Sequence, residues 1–199
     1  MVKYTTEELQ SVFKNFYNDT YLSDQNACTS PKSVFWHGDV ELTKNFSRFF
    51  WSEFSKYIRS FYRITDHQVL EKFYNCSAVA VNHLDQFKET KYCENLTVMS
   101  SESSIPKNLD NNICNSGLFL EFYIQDFLTI SDSSNRTFQT LIHKGFSIEE
   151  LNSMHELFRG KGYDRFVPLG KSQDFSFRWD GIDLIRHQSR YLELITSSY

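Results

Sequence analysis

His83 and Asp85 are separated by one residue, and in an extended strand that spacing sends an imidazole and a carboxylate to the same side of the chain. An aspartate held against a histidine fixes the orientation and tautomer of the ring, which suits the imidazole to take or give a proton. The pair also reads as the polar end of a strand that starts with Val79 and Val81, and this is the plainer reading. Asp126 is the other candidate. It stands in phase with Leu118, Leu120, Phe122, Ile124 and Leu128, so a carboxylate falls on an otherwise apolar face. Burial there would demand a partner or raise the pKa toward that of a general acid or base, whereas a core ending at Ile124 would leave Asp126 in water.

His37-Gly38-Asp39 and His83-Leu84-Asp85 each supply the H-x-D portion of a facial iron triad. That pattern also needs a distal histidine on a jelly-roll framework, which the strand spacing does not suggest. Cys28, Cys76, Cys93 and Cys114 lie far apart, with no C-x-x-C and no Cys-His ligand spacing, which argues against zinc. No glycine-rich phosphate loop or nucleophile elbow occurs. The expectation is no metal and no cofactor.

The elements that would position these residues follow from periodicity. Thr5 to Leu22 carries a helical stripe of Leu9, Val12, Phe13, Phe16 and Tyr17 behind a Thr5/Glu8 capping box. Ser33 to Asp39 is a short strand closed by a Gly-Asp turn. Asn45 to Arg63 is a helix whose aromatic stripe is wide enough to pack against a sheet. Periodicity explains that stripe as core; were it to wall a pocket, Trp36, His37, Phe50, Phe54, Tyr57 and Phe122 would line it.

From Asp66 the period shortens. Gln68 to Tyr74 and Ala78 to Val81 read as two strands joined at Asn75-Cys76-Ser77. Residues 91 to 117 are a long polar connection, within which Tyr92 to Met99 could add a strand. Leu118 to Ile130 is the strongest strand, returning through Ser131 to Asn135 into Thr137 to His143. A Ser147/Glu150 capping box opens a helix to about Arg159, Gly160 to Lys171 is a loop, and a last helix starts near Asp180.

Charge excludes more than it identifies. With 21 basic and 25 acidic residues the net charge is −4, which gives no field to concentrate a polyanion, so nucleic acid is not an expected partner. No apolar run approaches the ~18–20 residues of a membrane span, and the start lacks a signal-peptide core, so no membrane partner and a cytoplasmic location are expected. Five N-x-[ST] sequons, at Asn18, Asn45, Asn75, Asn95 and Asn135, together with an even cysteine count, support the alternative of a secreted glycoprotein with disulfides.

The order of helix, short strand, aromatic helix and long antiparallel strands resembles the NTF2-like fold, especially its SnoaL-like branch. The resemblance rests on Ser33-Val-Phe-Trp-His-Gly-Asp39, on the helix with Arg48-Phe49-Phe50, and on the strand pattern of Asp66 to Val81 and Leu118 to His143. It implies an α+β domain over residues 1–143, a curved antiparallel sheet packed on helices as a cone with a pocket. Residues 144–199 would be a C-terminal helical extension on the same domain. The expected function is a non-catalytic module that binds a small apolar or aromatic ligand or a protein partner, with a homodimer as one assembly. One alternative is a cofactor-free isomerase, dehydratase or cyclase acting on a small apolar or aromatic compound, with Asp126, His83 and Asp85 as its acid–base groups. The other is the secreted glycoprotein.

Overall fold

The computed structural model describes residues 5–101, 105–106, 114–134 and 137–194. It is an α+β structure. The first helix, α1 (Thr6–Thr20), starts with the expected capping box, in which the Thr5 hydroxyl accepts from Glu8 N–H and the Glu8 carboxylate accepts from Thr5 N–H. β1 (Ser33–His37) turns through Gly38 into α2 (Val40–Arg59), whose first turn is capped by the Asp39 carboxylate accepting from Leu42 N–H at 3.0 Å.

α3 spans Asp66–Asn82, where the sequence pattern suggested two strands. The helix is set by a second capping box, Thr65 with Gln68. Apolar residues on both sides of the helix imitate strand alternation. A hairpin of β2 (Phe87–Cys93) and β3 (Leu96–Ser101) follows; β2 begins before the connection expected from residue 91, and β3 overlaps the strand that Tyr92 to Met99 could add. Residues 102–104 and 107–113 of that connection, and Asn135, lie outside the described residues.

β4 (Leu118–Ile124) is central in a four-stranded sheet of order β1-β4-β3-β2. The expected antiparallel sheet is corrected here: β4 runs parallel to both β1 and β3, and the antiparallel pairing is that of β2 with β3. The reason lies in the composition of β4. Phe119 and Tyr123 alternate with Leu118, Leu120, Phe122 and Ile124, so apart from Glu121 both faces are apolar, as a strand covered on two sides requires. Phe119 belongs to the aromatic core under α1 and α2, with Phe13, Phe16, Phe50, Trp51 and Phe54. Leu118, Leu120, Phe122 and Ile124 belong to the opposite core, with Val79 of α3.

The strand does not run on to Ile130. Asp126 Oδ1 accepts from Leu128 N–H at 2.9 Å, an Asx turn that folds the chain into α4 (Leu128–Ser133). β5 (Thr140–His143) therefore does not return along β4; it pairs in parallel with β6 (Arg165–Pro168), which lies in the expected loop. Between them α5 (Ile148–Phe158) begins with the expected Ser147/Glu150 box and adds Met154 and Phe158 to the core beneath β4. The last expected helix is short. β7 (Arg178–Trp179) and β8 (Ile182–Asp183) pair with each other before α6 (Leu184–Gln188), so the C-terminal part mixes strands with helices. Its loop is fastened to α1 by buried Asp19, whose carboxylate accepts from Gly170 N–H at 2.6 Å, from Ser172 N–H at 3.0 Å and from the Ser172 hydroxyl at 2.8 Å.

Candidate functional site

Two arrangements depart from what folding alone would select, and they lie on opposite sides of the sheet. The first is the carboxylate of Glu121, at the middle of β4 and 0% exposed. Its Oε1 accepts from Trp36 Nε1–H at 2.7 Å, from Trp51 Nε1–H at 2.6 Å and from the Ser47 hydroxyl. Its Oε2 accepts from the hydroxyls of Ser100 at 2.6 Å and Tyr123 at 2.9 Å. β1, α2 and β3 thus each send donors to one carboxylate of β4. Indole N–H and hydroxyl groups compensate the desolvation of a buried anion. With five donors around it and no exposed surface, this group locks the sheet to α2, and no substrate reaches it.

The second arrangement is α3. Its inner side carries Lys72 (0% exposed), Asn75 (6%) and Val79 (1%), while Leu70 (68%), Phe73 (62%), Tyr74 (72%) and Val81 (67%) stand in solvent. The ordinary amphipathic order is inverted. The inner polar groups have partners: Lys72 Nζ donates to the Glu94 carbonyl at 2.6 Å, and Asn75 Nδ2 donates to Asn115 Oδ1 at 3.2 Å. Burial pulls the Lys72 amine down to about 8. Beyond the helix, Leu84 prolongs the outer face at 76% exposure.

The residues singled out from the sequence are dispersed. Asp126 is exposed and holds the start of α4. His83 caps the end of α3 and Asp85 is exposed in the turn beyond, so neither projects from a strand; the His83 ring lies 6.1 Å from that of Phe87. Trp36 serves Glu121, while His37, one residue on and exposed, stacks on Phe127 at 4.3 Å. Phe50 and Phe54 are core beneath α1, and Tyr57 packs half-buried beside them. Phe122 lies across the sheet from those three, stacked on Phe35 at 5.4 Å. A sheet with cores on both faces cannot bring Phe122 and Phe50 to one cavity. The aromatic helix fills its core, as its periodicity allowed.

Open hollows occur elsewhere. One of about 260 Å³ lies among His155, Arg159, Tyr163 and Asp164; another of about 360 Å³ lies among Gln10, Glu53, Tyr57 and Phe61. Among the described residues no group of three or more His, Cys, Asp or Glu is placed to hold a metal ion, and no helix is long and apolar enough to cross a membrane. The four cysteines are free, and burial pushes the Cys114 thiol up to about 12. The signals missed in the sequence were Glu121, a lone charge inside an apolar run, and the Thr65-x-x-Gln68 box that makes α3 a helix. Compared with known proteins, the chain matches no family model and no curated protein.

Proposed function

We propose that the chain is a non-catalytic protein-interaction module and that the outer face of α3 is where a partner protein sits. The observation that carries this reading is the inverted helix, with Leu70, Phe73, Tyr74 and Val81 each more than 60% exposed while Lys72 is sealed inside. A contiguous apolar face of this kind is costly in water unless it is covered, and on a folded chain it marks a contact surface. The NTF2-like resemblance is not needed for this reading; of its segments, Asp66 to Val81 is helix. We place the chain in the cytoplasm, with the four free cysteines as support.

The test is site-specific photo-crosslinking in the cells that make the protein. A benzophenone side chain at Tyr74 is compared with the same group at exposed Lys56 on α2. We expect a discrete protein adduct at Tyr74 that disappears when Leu70→Glu is added. Equal labelling at the two sites, or an adduct indifferent to Leu70→Glu, would remove the reading. A small molecule retained against α3 in native mass spectrometry would replace it by the ligand-binding alternative.

A further inference from the structure

Resting on that reading, we infer that the partner of the α3 face is a second copy of this chain, docked through an antiparallel α3–α3 pair about a two-fold axis near Ser77. At ~100° per residue, Leu70, Phe73, Tyr74, Ala80 and Val81 fall within roughly 60° of Ser77 around the helix. Ser77 and Ala80 are exposed along with the large side chains, so the strip is low in the middle and high at its ends. That profile is self-complementary. An antiparallel pair centred on Ser77 sets Phe73 of one copy over Ala80 of the other, Tyr74 against Val81, and Leu70 against Leu84.

Area and the uncharged strip both fit a copy of the chain. The five large side chains expose roughly 600 Å², given the ~150–250 Å² that an aromatic side chain can bury. This approaches the ~800 Å² per partner of a standard interface and reaches the upper limit of patches left bare on monomers. No charged side chain occupies the strip itself. Antiparallel packing also sets the two helix dipoles opposed, the N-terminal end of each α3 beside the C-terminal end of the other.

Sedimentation equilibrium of the whole chain, from micromolar to hundreds of micromolar, tests this together with cysteine cross-linking in a Cys28→Ser background. We expect a reversible dimer that Phe73→Glu turns into a monomer with unchanged circular dichroism. Ser77→Cys should form a disulfide-linked dimer at least tenfold faster than Ser52→Cys on the exposed side of α2, because the two-fold axis brings equivalent Ser77 positions together. A chain that stays monomeric, with the two cysteines oxidising at equal rates, would overturn the inference. Loss of the Tyr74 adduct as well would overturn the interaction reading, whereas a Tyr74 adduct with a different protein would leave that reading standing without the second copy. A dimer that survives Phe73→Glu and leaves Ser77→Cys uncoupled would place the contact elsewhere and overturn the inference equally.

Discussion

Trp51 donates its indole N–H to Glu121 Oε1 at 2.6 Å, joining the middle of α2 to the middle of β4 in a space from which water is excluded. Trp36 meets the same oxygen from β1, so two of the three tryptophans of the chain report on a single carboxylate.

Glu121→Leu leaves both indoles and three hydroxyls without their acceptor, and we expect a loss of roughly 3–5 kcal/mol in urea unfolding, the scale of breaking a buried charged network. Glu121→Gln should cost less, about 1–2 kcal/mol, because the hydroxyls of Ser100 and Tyr123 can turn to accept from the new amide while Oε1 keeps the indoles. Equal losses from the two substitutions would mean that packing volume, and not hydrogen bonding, is what the site supplies.

Lys72 ties stability to alkaline pH. Its folded-state pKa, lowered by burial to about 8, lies below that of the unfolded chain, so the unfolded state binds more protons between the two values. The stability of the natural chain relative to Lys72→Met should therefore rise with pH from about 8 upward, by about 2 kcal/mol near pH 9.5. Tyr21, Tyr62 and Cys114, pushed up by burial, act in the opposite sense but equally in both proteins. Paired urea titrations at the two pH values supply the difference, and a flat difference would show that the ammonium is solvated.

Asp19 should control access to the loop that follows β6. Asp19→Asn turns one acceptor into a donor facing Gly170 N–H or Ser172 N–H. We expect a loss of about 2 kcal/mol and faster tryptic cleavage after exposed Lys171, with cleavage elsewhere little changed. Unaltered cleavage at Lys171 would mean the loop is held by other contacts.

Gly117 has φ +85°, and a Cβ there would sit 2.4 Å from the Asn95 carbonyl and 2.5 Å from Tyr21 Oη, which donates to that carbonyl at 2.8 Å. Gly117→Ala should cost roughly 2–4 kcal/mol, and Tyr21→Phe, which removes the hydroxyl but leaves the Asn95 carbonyl, should recover part of it. Strict additivity in the double variant, measured by thermal unfolding, would break the link between these residues.

Much of the fold could be read from residue order, for reasons that vary by element. α1 and α5 carry a capping box and an apolar stripe that agree, and both residue types and spacing survive into the structure. α3 misleads because periodicity arguments assume that apolar residues face inward; here Lys72 and Asn75 do so, and Leu70, Phe73 and Tyr74 do not. Once Gln68 to Val81 is helical, the spacing of His83 and Asp85 loses its meaning. Asp126 was placed by extending a period of two beyond the point where its own side chain turns the chain. Glu121 escapes an argument from alternation because it lies on the other face of β4 from Leu118, Leu120 and Phe122, and that face is covered as well.

The register of β1 on β4, Ser33 opposite Leu120, dictates the order of events on the ribosome. β1 emerges early, but the strand it must pair with is made after α2, α3, β2 and β3. At ~5–20 residues per second the wait is roughly 4–17 s. Once α2 is made, Phe13, Phe16, Phe50 and Phe54 have one another for cover but not Phe119, which completes their core. β4 then enters between β1 and β3 as a keystone. A nascent chain stalled before Leu118 holds the residues of three helices and a hairpin with no central strand to unite them, and it is in this window, not in the mature protein, that the aromatic half of the molecule is least covered.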